Sequence, residues 1–279
     1  MHMKIHVLTC GYIRISERLI ETGGMMSDLR RAVLTPDTHR IELPVSAFLI
    51  EHRQGLFLVD TGLSRDISPA GVYDKRASEN VLSKHLAAVY HPYVPCGTAI
   101  HEQLASMGIR PDELEAVIVT NFDIDHVAGL KHVADAKRII VPEDEAYWSV
   151  RTKYRIRQNR DLWEPYKTER IFFRGYPSGP MRKAVDLLGD GSLMMVSIPG
   201  YTDGQAGIMV SEKGRYAFIA SDAAFSPDNW KKMKAPGLGA NEALQLKTMK
   251  WLAKTAEDPA CAGILCTHDP ELKNKIMEL

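Results

Sequence analysis

Two β-hairpins that each end in an aspartate constrain the fold of this chain more than any other sequence feature. The first hairpin spans residues 45–59 and is followed by Asp60, and the second spans residues 206–219 and is followed by Ser221 and Asp222. Each pairs two short apolar runs across a glycine-containing turn, which is the sequence pattern of a hairpin. The repetition predicts two related halves, each delivering an aspartate from a strand end.

Helical and buried-strand patterns lie between and around these hairpins. Apolar residues recur at helical spacing over residues 78–90, 98–107 and 242–254. Short apolar runs at residues 116–119, 138–141 and 263–265 predict buried strands, and we interpret residues 3–8 as a first strand. Hairpins combined with crossover helices indicate an α/β fold with mixed sheets.

Composition excludes several classes of protein. The 279 residues include 35 basic and 35 acidic side chains and are 45% hydrophobic, which is ordinary for a globular protein and excludes a disordered one. No apolar run approaches the ~18 residues of a membrane span. A formal charge of zero argues against nucleic-acid and anionic-membrane partners. The four cysteines form no CxxC pair, and the N-terminal apolar stretch is too short for a secretory signal, so we expect reduced thiols and a cytoplasmic location.

Residues 143–186 do not fit the strand and helix pattern, and we interpret them as an excursion inserted in a single domain of residues 1–279. Residues 151–160 contain five basic residues and no acidic one. A solvated face explains that run most simply, and an anion-binding rim is the alternative. Because segments inserted over strand ends commonly shape pockets, we expect the excursion to form a wall of the functional cleft.

The segment after the strand at 116–119 concentrates the side chains that carry chemistry. It presents Asn121, Asp123, Asp125 and His126 within six residues. Alternate residues of an extended loop point the same way, so these donors could converge on a divalent metal ion. A capped helix start with a solvated acidic loop would explain the segment equally well.

Two more strand ends favour the metal site. Asp222 follows the strand at 216–219, and His268 follows the strand at 263–265. Functional side chains cluster at one end of a sheet because the strands fix them there. The chain also lacks G-x-S-x-G, G-x-x-x-x-G-K-[ST] and G-x-G-x-x-G sequences, which disfavours serine hydrolases, P-loop enzymes and Rossmann dehydrogenases.

At this point the residues resemble a known family. The segment 121–126, Asn-Phe-Asp-Ile-Asp-His, is similar to the H-x-H-x-D-H signature of the metallo-β-lactamase superfamily. Residues 58–62 resemble its strand-Asp-x-Gly element, and residues 198–205 its P-G-H-T-x-G-Q loop. The arrangement is most similar to the N-acyl homoserine lactonase-like branch. The resemblance implies a four-layer αββα sandwich of two mixed sheets flanked by helices.

The resemblance also implies a set of metal ligands. Its second metal position is complete here, with Asp125, His126 and His268 as ligands and Asp222 as the bridging residue. Its first position has lost every imidazole and holds Asn121, Asp123 and Tyr201 instead. We therefore expect one tightly bound divalent ion, with a second held weakly or not at all. Zinc is the first choice, and oxygen-rich ligands leave manganese or iron as alternatives. The resemblance assigns Asp60 a role in orienting the signature loop.

The implied activity is hydrolysis of an ester, lactone or thioester of a small acyl substrate by a metal-held water. Asp125 is then a ligand and proton shuttle, and Tyr201 donates a hydrogen bond to the oxyanion, unless it only packs the loop. A degenerate family member that binds a ligand or metal without turnover is the alternative, because three ligands of the first position are replaced. A homodimer is left open by the sequence.

Overall fold

The computed structural model describes residues 2–20, 27, 28, 30 and 39–279. Within these residues the strands are β1 (Lys4–Ser16), β2 (Arg40–His52), β3 (Gly55–Val59), β4 (Tyr90–Tyr93), β5 (Leu114–Ile118), β6 (Ile139–Pro142), β7 (Glu169–Ile171), β8 (Arg174–Gly175), β9 (Lys183–Asp186), β10 (Leu193–Ser197), β11 (Ala206–Glu212), β12 (Arg215–Ser221), β13 (Cys261–Cys266) and β14 (Ile276–Glu278). The helices are α1 (Lys75–Glu79), α2 (Lys84–Val89), α3 (Ile100–Ser106), α4 (Ile124–Val127), α5 (Glu143–Ser149), α6 (Pro227–Lys232) and α7 (Glu242–Ala256).

The strands form two mixed sheets. The first has the order β14-β1-β2-β3-β5-β6-β7, with β4 also paired to β1. Its β1, β2 and β3 are antiparallel, whereas β3, β5, β6 and β7 are parallel. The second has the order β13-β12-β11-β10-β9-β8, and its one parallel pair among the described strands is β12 with β13. Parallel neighbours matter here because they end at the same edge of a sheet.

The two sheets pack face to face, and helices cover their outer faces. Side chains of both sheets share one buried cluster, in which Ile50 and Ile118 of the first meet Ile208 and Ile219 of the second. A second cluster joins the outer face of the first sheet to α3, and a third joins the outer face of the second sheet to α7. Each layer therefore buries an apolar face, and the expected four-layer αββα sandwich is confirmed.

The two predicted hairpins occur as β2–β3 and β11–β12, and each ends in the same unusual backbone conformation. Asp60, directly after β3, has a φ of 58°, and Ser221, at the end of β12, has a φ of 51°. Residues other than glycine rarely adopt this left-handed region, and it costs of the order of 1 kcal/mol. The turn sends the chain away from each sheet edge at the level of the candidate site.

The predicted helix over residues 78–90 is broken into α1 and α2. Ser83 lies between them, and its hydroxyl accepts a hydrogen bond from the Leu86 backbone N–H and donates one to the Ile156 carbonyl oxygen at 2.6 Å. A serine in this position starts a new helix because it satisfies an unpaired backbone N–H. Apolar periodicity continues across the break, so periodicity alone does not detect it.

The segment 143–186 leaves the sheets only in part. Its β7 extends the first sheet beside β6, and its β8 and β9 extend the second sheet beside β10. Helix α5 and two short 3-10 turns, Thr152–Ile156 and Arg160–Leu162, occupy the remainder. The segment therefore links the two sheets and also carries the irregular residues that reach the candidate site.

All four cysteines are unpaired thiols, and two of them, Cys10 and Cys266, are buried. Burial raises the pKa of Cys10 to about 12, so this thiol stays protonated and serves in packing. Among the helices that the structure describes, none combines the length and the apolar composition needed to cross a membrane.

Candidate metal centre

Four strand ends deliver the polar side chains of the site. Asp60 follows β3, and the segment 121–126 follows β5, the parallel neighbour of β3. In the second sheet, Asp222 follows β12 and His268 lies two residues beyond β13, its parallel neighbour. The sheets face each other, so the two pairs of strand ends meet across one cleft.

Asp125, His126, Asp222 and His268 converge at these strand ends. Donor atoms of Asp125, Asp222 and His268 lie within 4.8 Å of one another. The His268 Nε2 is 3.4 Å from a carboxylate oxygen of Asp125 and 3.4 Å from one of Asp222. The His126 Nε2 is 3.0 Å from Asp222 Oδ2 and 3.9 Å from Asp125 Oδ1. All four residues are buried.

Hydrogen bonds behind the two imidazoles fix which nitrogen faces the site. The His126 Nδ1 donates to Asp60 Oδ2 at 2.8 Å, and the His268 Nδ1 donates to the Pro44 carbonyl oxygen at 2.8 Å. Both Nε2 atoms therefore point towards the carboxylates of Asp125 and Asp222. This is the arrangement that holds a metal-binding histidine in one tautomer and one ring orientation.

Asp60 organises the loop as well as the imidazole. Its Oδ1 accepts the Thr120 backbone N–H at 2.8 Å, and its Oδ2 accepts the Thr120 hydroxyl at 2.7 Å. The Thr61 N–H and hydroxyl donate to the His126 carbonyl oxygen at 2.9 and 2.8 Å. The aspartate after the first hairpin thus has the orienting role that the sequence resemblance implies.

Burial and charge oppose each other in this cluster. Burial would raise the pKa of Asp222, but the imidazoles of His126 and His268 hold that pKa well below its usual range. Burial would lower the pKa of each imidazole, yet Asp222 and its neighbouring carboxylates raise the pKa of both. Two buried carboxylates thus depend on nearby positive charge, which protons on the imidazoles or a metal ion would supply.

One buried atom of the cluster lacks a hydrogen-bond donor. Asp222 Oδ1 is buried and accepts no well-formed hydrogen bond from the described part of the chain, although the His268 Nε2 lies 3.4 Å from it. Buried acceptors are normally satisfied by protein, water or an ion. Two inward-facing imidazole nitrogens and two carboxylates, one of which carries this unsatisfied oxygen, fit a divalent metal ion with N/O ligands.

The other predicted ligands do not join this group. The Asn121 side chain accepts the Asp123 N–H at 2.9 Å and donates to the Ser221 hydroxyl at 3.2 Å. Asp123 instead pairs with Arg157, whose Nε lies 3.0 and 2.8 Å from its two carboxylate oxygens. Tyr201 lies beneath the same guanidinium, with the Arg157 Cζ 4.3 Å from its ring centroid. The structure therefore separates the two predicted metal positions by their environment.

Arg157 is the main residue that sequence reasoning missed. It belongs to the basic run 151–160, which we interpreted as a solvated face, but its side chain is only 4% exposed. Arg151, Arg155 and Arg160 are exposed, in accordance with that interpretation. A run of alternating basic residues gives no signal as to which one turns inwards, so only the fold identifies Arg157.

Glu145 is a second residue that sequence reasoning missed, and its hydrogen bonds hold the loop at 121–126 in place. Its Oε1 accepts the Phe122 N–H at 3.1 Å and the Gln158 side-chain amide at 2.8 Å, and its Oε2 accepts the Thr202 hydroxyl at 2.6 Å. Burial is the main reason that its pKa rises to about 7. This carboxyl connects the loop at 121–126, the segment 143–186 and the loop at 198–205, and no sequence motif marks it.

Comparison with known proteins identifies the family. The sequence model of the metallo-β-lactamase superfamily matches residues 40–258, which is most of the chain. The chain belongs to the metallo-β-lactamase superfamily. Members of this superfamily bind divalent metals, typically zinc, and the convergence of Asp125, Asp222 and His268 provides a candidate ligand group for such an ion.

Curated relatives are named lactonases and metallo-hydrolases. The chain is 23% identical over 242 residues to N-acyl homoserine lactonase AttM of Agrobacterium fabrum, covering 82% of this chain and 83% of the relative. It is 26% identical over 259 residues to a probable metallo-hydrolase of Mycobacterium tuberculosis, covering 85% of this chain and 78% of the relative. These matches support a metal-dependent hydrolase.

Solved structures show the same fold. An N-acyl homoserine lactone hydrolase with N-hexanoyl-L-homoserine at its catalytic metal centre superposes with a TM-score of 0.75, at 17% identity over 97% of this chain and 95% of that one. The dizinc quorum-quenching lactonase AidC gives a TM-score of 0.64, at 14% identity over 96% of this chain and 88% of that one. The likeness confirms the αββα architecture along nearly the whole length of the chain.

Proposed function

We propose that this protein hydrolyses an ester, lactone or thioester bond of a small acyl substrate, and that a divalent metal ion held by Asp125, His126, Asp222 and His268 is required. The observation that carries the proposal is the convergence of Asp125, Asp222 and His268 within 4.8 Å, with the His126 Nε2 3.0 Å from Asp222. The lactonase names of several relatives support an acyl substrate. Zinc is the expected ion, and the two carboxylates leave manganese and iron as alternatives.

In the proposed hydrolysis Asp125 transfers the proton, and two hydrogen-bond acceptors keep the histidine ligands oriented. When bound, a divalent ion supplies a water that ionises near neutral pH and an electrophile for the acyl oxygen. Asp125 accepts the proton that the attacking water loses as the new carbon–oxygen bond forms. It returns that proton to the alkoxide or thiolate that leaves when the scissile bond breaks. His126 and His268 keep their Nε2 atoms directed at the site throughout, because Asp60 and the Pro44 carbonyl hold them from behind.

In this proposal the Tyr201 phenol stabilises the developing negative charge. Burial, together with the neighbouring carboxylates, raises the pKa of its phenol well above the ordinary value, despite the opposing charge of Arg157. The phenol therefore remains a hydrogen-bond donor at neutral pH. A donor aimed at an oxyanion stabilises the transition state more than the ground state.

Two pockets of different size and polarity lie beside the site. A cavity of about 20 Å³ beside Asp125, with room for little more than a water, is lined by Leu86, Ile124, Tyr201 and Leu238, together with Tyr90, Asp123 and Arg157. A larger pocket of about 410 Å³ adjoins it, sharing Ile124 and Arg157, and is formed largely by residues 155–161 and 80–83. The small cavity has mostly apolar walls, as small-molecule sites commonly do, whereas the larger pocket is lined mainly by polar and charged side chains. The segment 143–186 supplies part of both linings.

Metal analysis and one substitution test this proposal. The purified protein should contain zinc, manganese or iron by elemental analysis, and should hydrolyse at least one member of a panel of N-acyl homoserine lactones, nitrophenyl esters and acyl thioesters. His268→Ala should lose the ion and all detectable hydrolysis, because it removes one of two imidazole ligands. His85→Ala is the matched control, since His85 is exposed on α2 and should retain both properties.

Two results would overturn the proposal. A protein that contains no metal and takes up none from added zinc, manganese or iron would refute the metal site. A protein that holds a metal but turns over nothing in the panel would favour a ligand-binding family member without turnover. The pairing of Asp123 with Arg157 favours that second candidate, because it removes a carboxylate from the metal-binding set.

A further inference from the structure

The region where the family resemblance implies a first metal ion contains an arginine instead. The Arg157 Nε lies 3.0 Å from Asp123 Oδ1 and 2.8 Å from Asp123 Oδ2, and the Arg157 Nη2 also donates to Oδ2. The Gln158 side-chain amide donates to Oδ1 at 3.2 Å. A backbone bridge between Asp123 and Gln158 holds the two segments together. Both oxygens of the Asp123 carboxylate are therefore hydrogen-bonded to side chains of the segment 143–186.

Arg157 is fixed on its other sides as well. Its Nη1 donates to the Leu238 carbonyl oxygen and, at 3.4 Å, to the Tyr201 carbonyl oxygen. Its guanidinium carbon lies 4.3 Å from the centroid of the Tyr201 ring, within the range of a cation–π contact. The guanidinium thus touches two of the three residues that replace the family's first-site ligands.

A guanidinium in this position excludes a metal ion for two reasons. It has no lone pair to offer, and it keeps its positive charge at every pH at which the protein is folded. A divalent cation at Asp123 would have to displace it and would leave a buried charge without its partner, which is strongly unfavourable. Asn121 adds only a neutral amide that is already hydrogen-bonded to Ser221.

We propose that Arg157 replaces the first metal ion as a built-in cation, so that the centre binds a single ion at Asp125, His126, Asp222 and His268. This inference rests on the proposed metal site and adds its stoichiometry. In this arrangement Arg157 is a positioning residue. Its charge balances Asp123, and its stacking on Tyr201 holds that ring at the edge of the cavity beside Asp125.

Metal stoichiometry tests the inference without reference to activity. The wild-type protein is saturated with zinc or with manganese, dialysed, and examined by native mass spectrometry and elemental analysis. We expect one ion per chain in the wild type and in Arg157→Lys, which keeps the positive charge. Arg157→Met removes the charge while keeping much of the volume, and should bind a second ion at least tenfold more tightly than the wild type does.

Two further variants separate charge from disturbance of the fold. Arg157→Met combined with Asp123→Asn should return to one ion, because the carboxylate that attracts the second ion is gone. Arg155→Met is the matched control, since Arg155 is exposed two residues away, and it should behave as the wild type. If Arg157→Met does not fold, Arg157→Gln is the second uncharged variant, and it should likewise bind a second ion at least tenfold more tightly than the wild type does.

Each remaining outcome has one meaning. Two tightly bound ions in the wild type would overturn the role of Arg157 while leaving the proposed hydrolase intact. A folded Arg157→Met protein that still binds one ion, with no gain for a second, would also overturn it. A wild type that binds no ion would overturn the inference together with the proposed function.

Discussion

Replacing Glu145 by glutamine should make the stability of this protein less dependent on pH. Glu145 is 1% exposed, and burial raises its pKa from 4.5 to about 7, with a smaller contribution from the charge of Asp123. In the folded protein the carboxyl therefore holds its proton at pH values where the unfolded chain has released it. A raised carboxyl pKa means that stability is lost as the pH rises from about 4.5 to about 7.

The size of the effect follows from the two pKa values. They differ by about two and a half pH units, and each unit is worth ~1.36 kcal/mol, so the full loss is ~3 kcal/mol. Between pH 5 and pH 8 about 2.5 kcal/mol of it should be seen. Glutamine carries no charge at either pH and can keep hydrogen bonds to the Phe122 N–H and the Thr202 hydroxyl. The free energy of unfolding of Glu145→Gln should thus rise relative to the wild type by about 2.5 kcal/mol over this range.

Urea unfolding at pH 5, 6, 7 and 8 measures this difference. All other titrating groups are common to both proteins, so their contributions largely cancel in the comparison. Asp144→Asn is the control, because Asp144 is exposed on the same helix and its substitution should change stability by no more than about 0.5 kcal/mol at every pH. A difference between Glu145→Gln and the wild type that stays constant from pH 5 to pH 8 would refute the raised pKa.

Three further predictions concern the site and its support. Asp60→Asn should weaken metal binding about 10- to 100-fold in chelator competition, because its single amide oxygen cannot accept from both the His126 Nδ1 and the Thr120 N–H, and an unchanged affinity would contradict this. Gly129→Ala should destabilise the fold by about 1–3 kcal/mol, since its Cβ would lie 2.3 Å from the Thr61 carbonyl oxygen, whereas Gly175→Ala, with open space around it, should not. Thermal or urea unfolding compares the two. Tyr201→Phe should lower kcat by about 10²- to 10³-fold at unchanged metal content, and an unchanged kcat would limit Tyr201 to packing.

Features encoded locally were predictable from the sequence. Each hairpin has its own strand pattern and turn, and the signature loop is contiguous, so the mixed sheets and the strand-end positions of Asp125, Asp222 and His268 follow from the residues. That these side chains meet across two packed sheets was implied by the family resemblance. The broken helix at 78–90 was missed because its cause is the capping side chain of Ser83, which leaves the apolar periodicity intact.

Features that depend on distant contacts were not predictable. Arg157 lies 34 residues from Asp123 along the chain, and Glu145 lies 57 residues from Thr202. Arg157 resembles its exposed neighbours in a basic run, and Glu145 is one of several acidic residues at the start of α5. Whether such a side chain is buried depends on where its segment crosses the strand ends, which residue type and spacing do not specify.

The repeated hairpin shows how one local structure serves two chemical roles. Asp60 and Asp222 each stand at the end of a hairpin, next to or within a left-handed turn, and both contact the same imidazole. Asp60 accepts from the His126 Nδ1 at 2.8 Å, on the side away from the cleft, and Asp222 lies 3.0 Å from the Nε2, on the side that faces it. The ring nitrogen that each aspartate contacts determines its role. Asp60 can only orient the histidine, whereas Asp222 can share a metal ion with it.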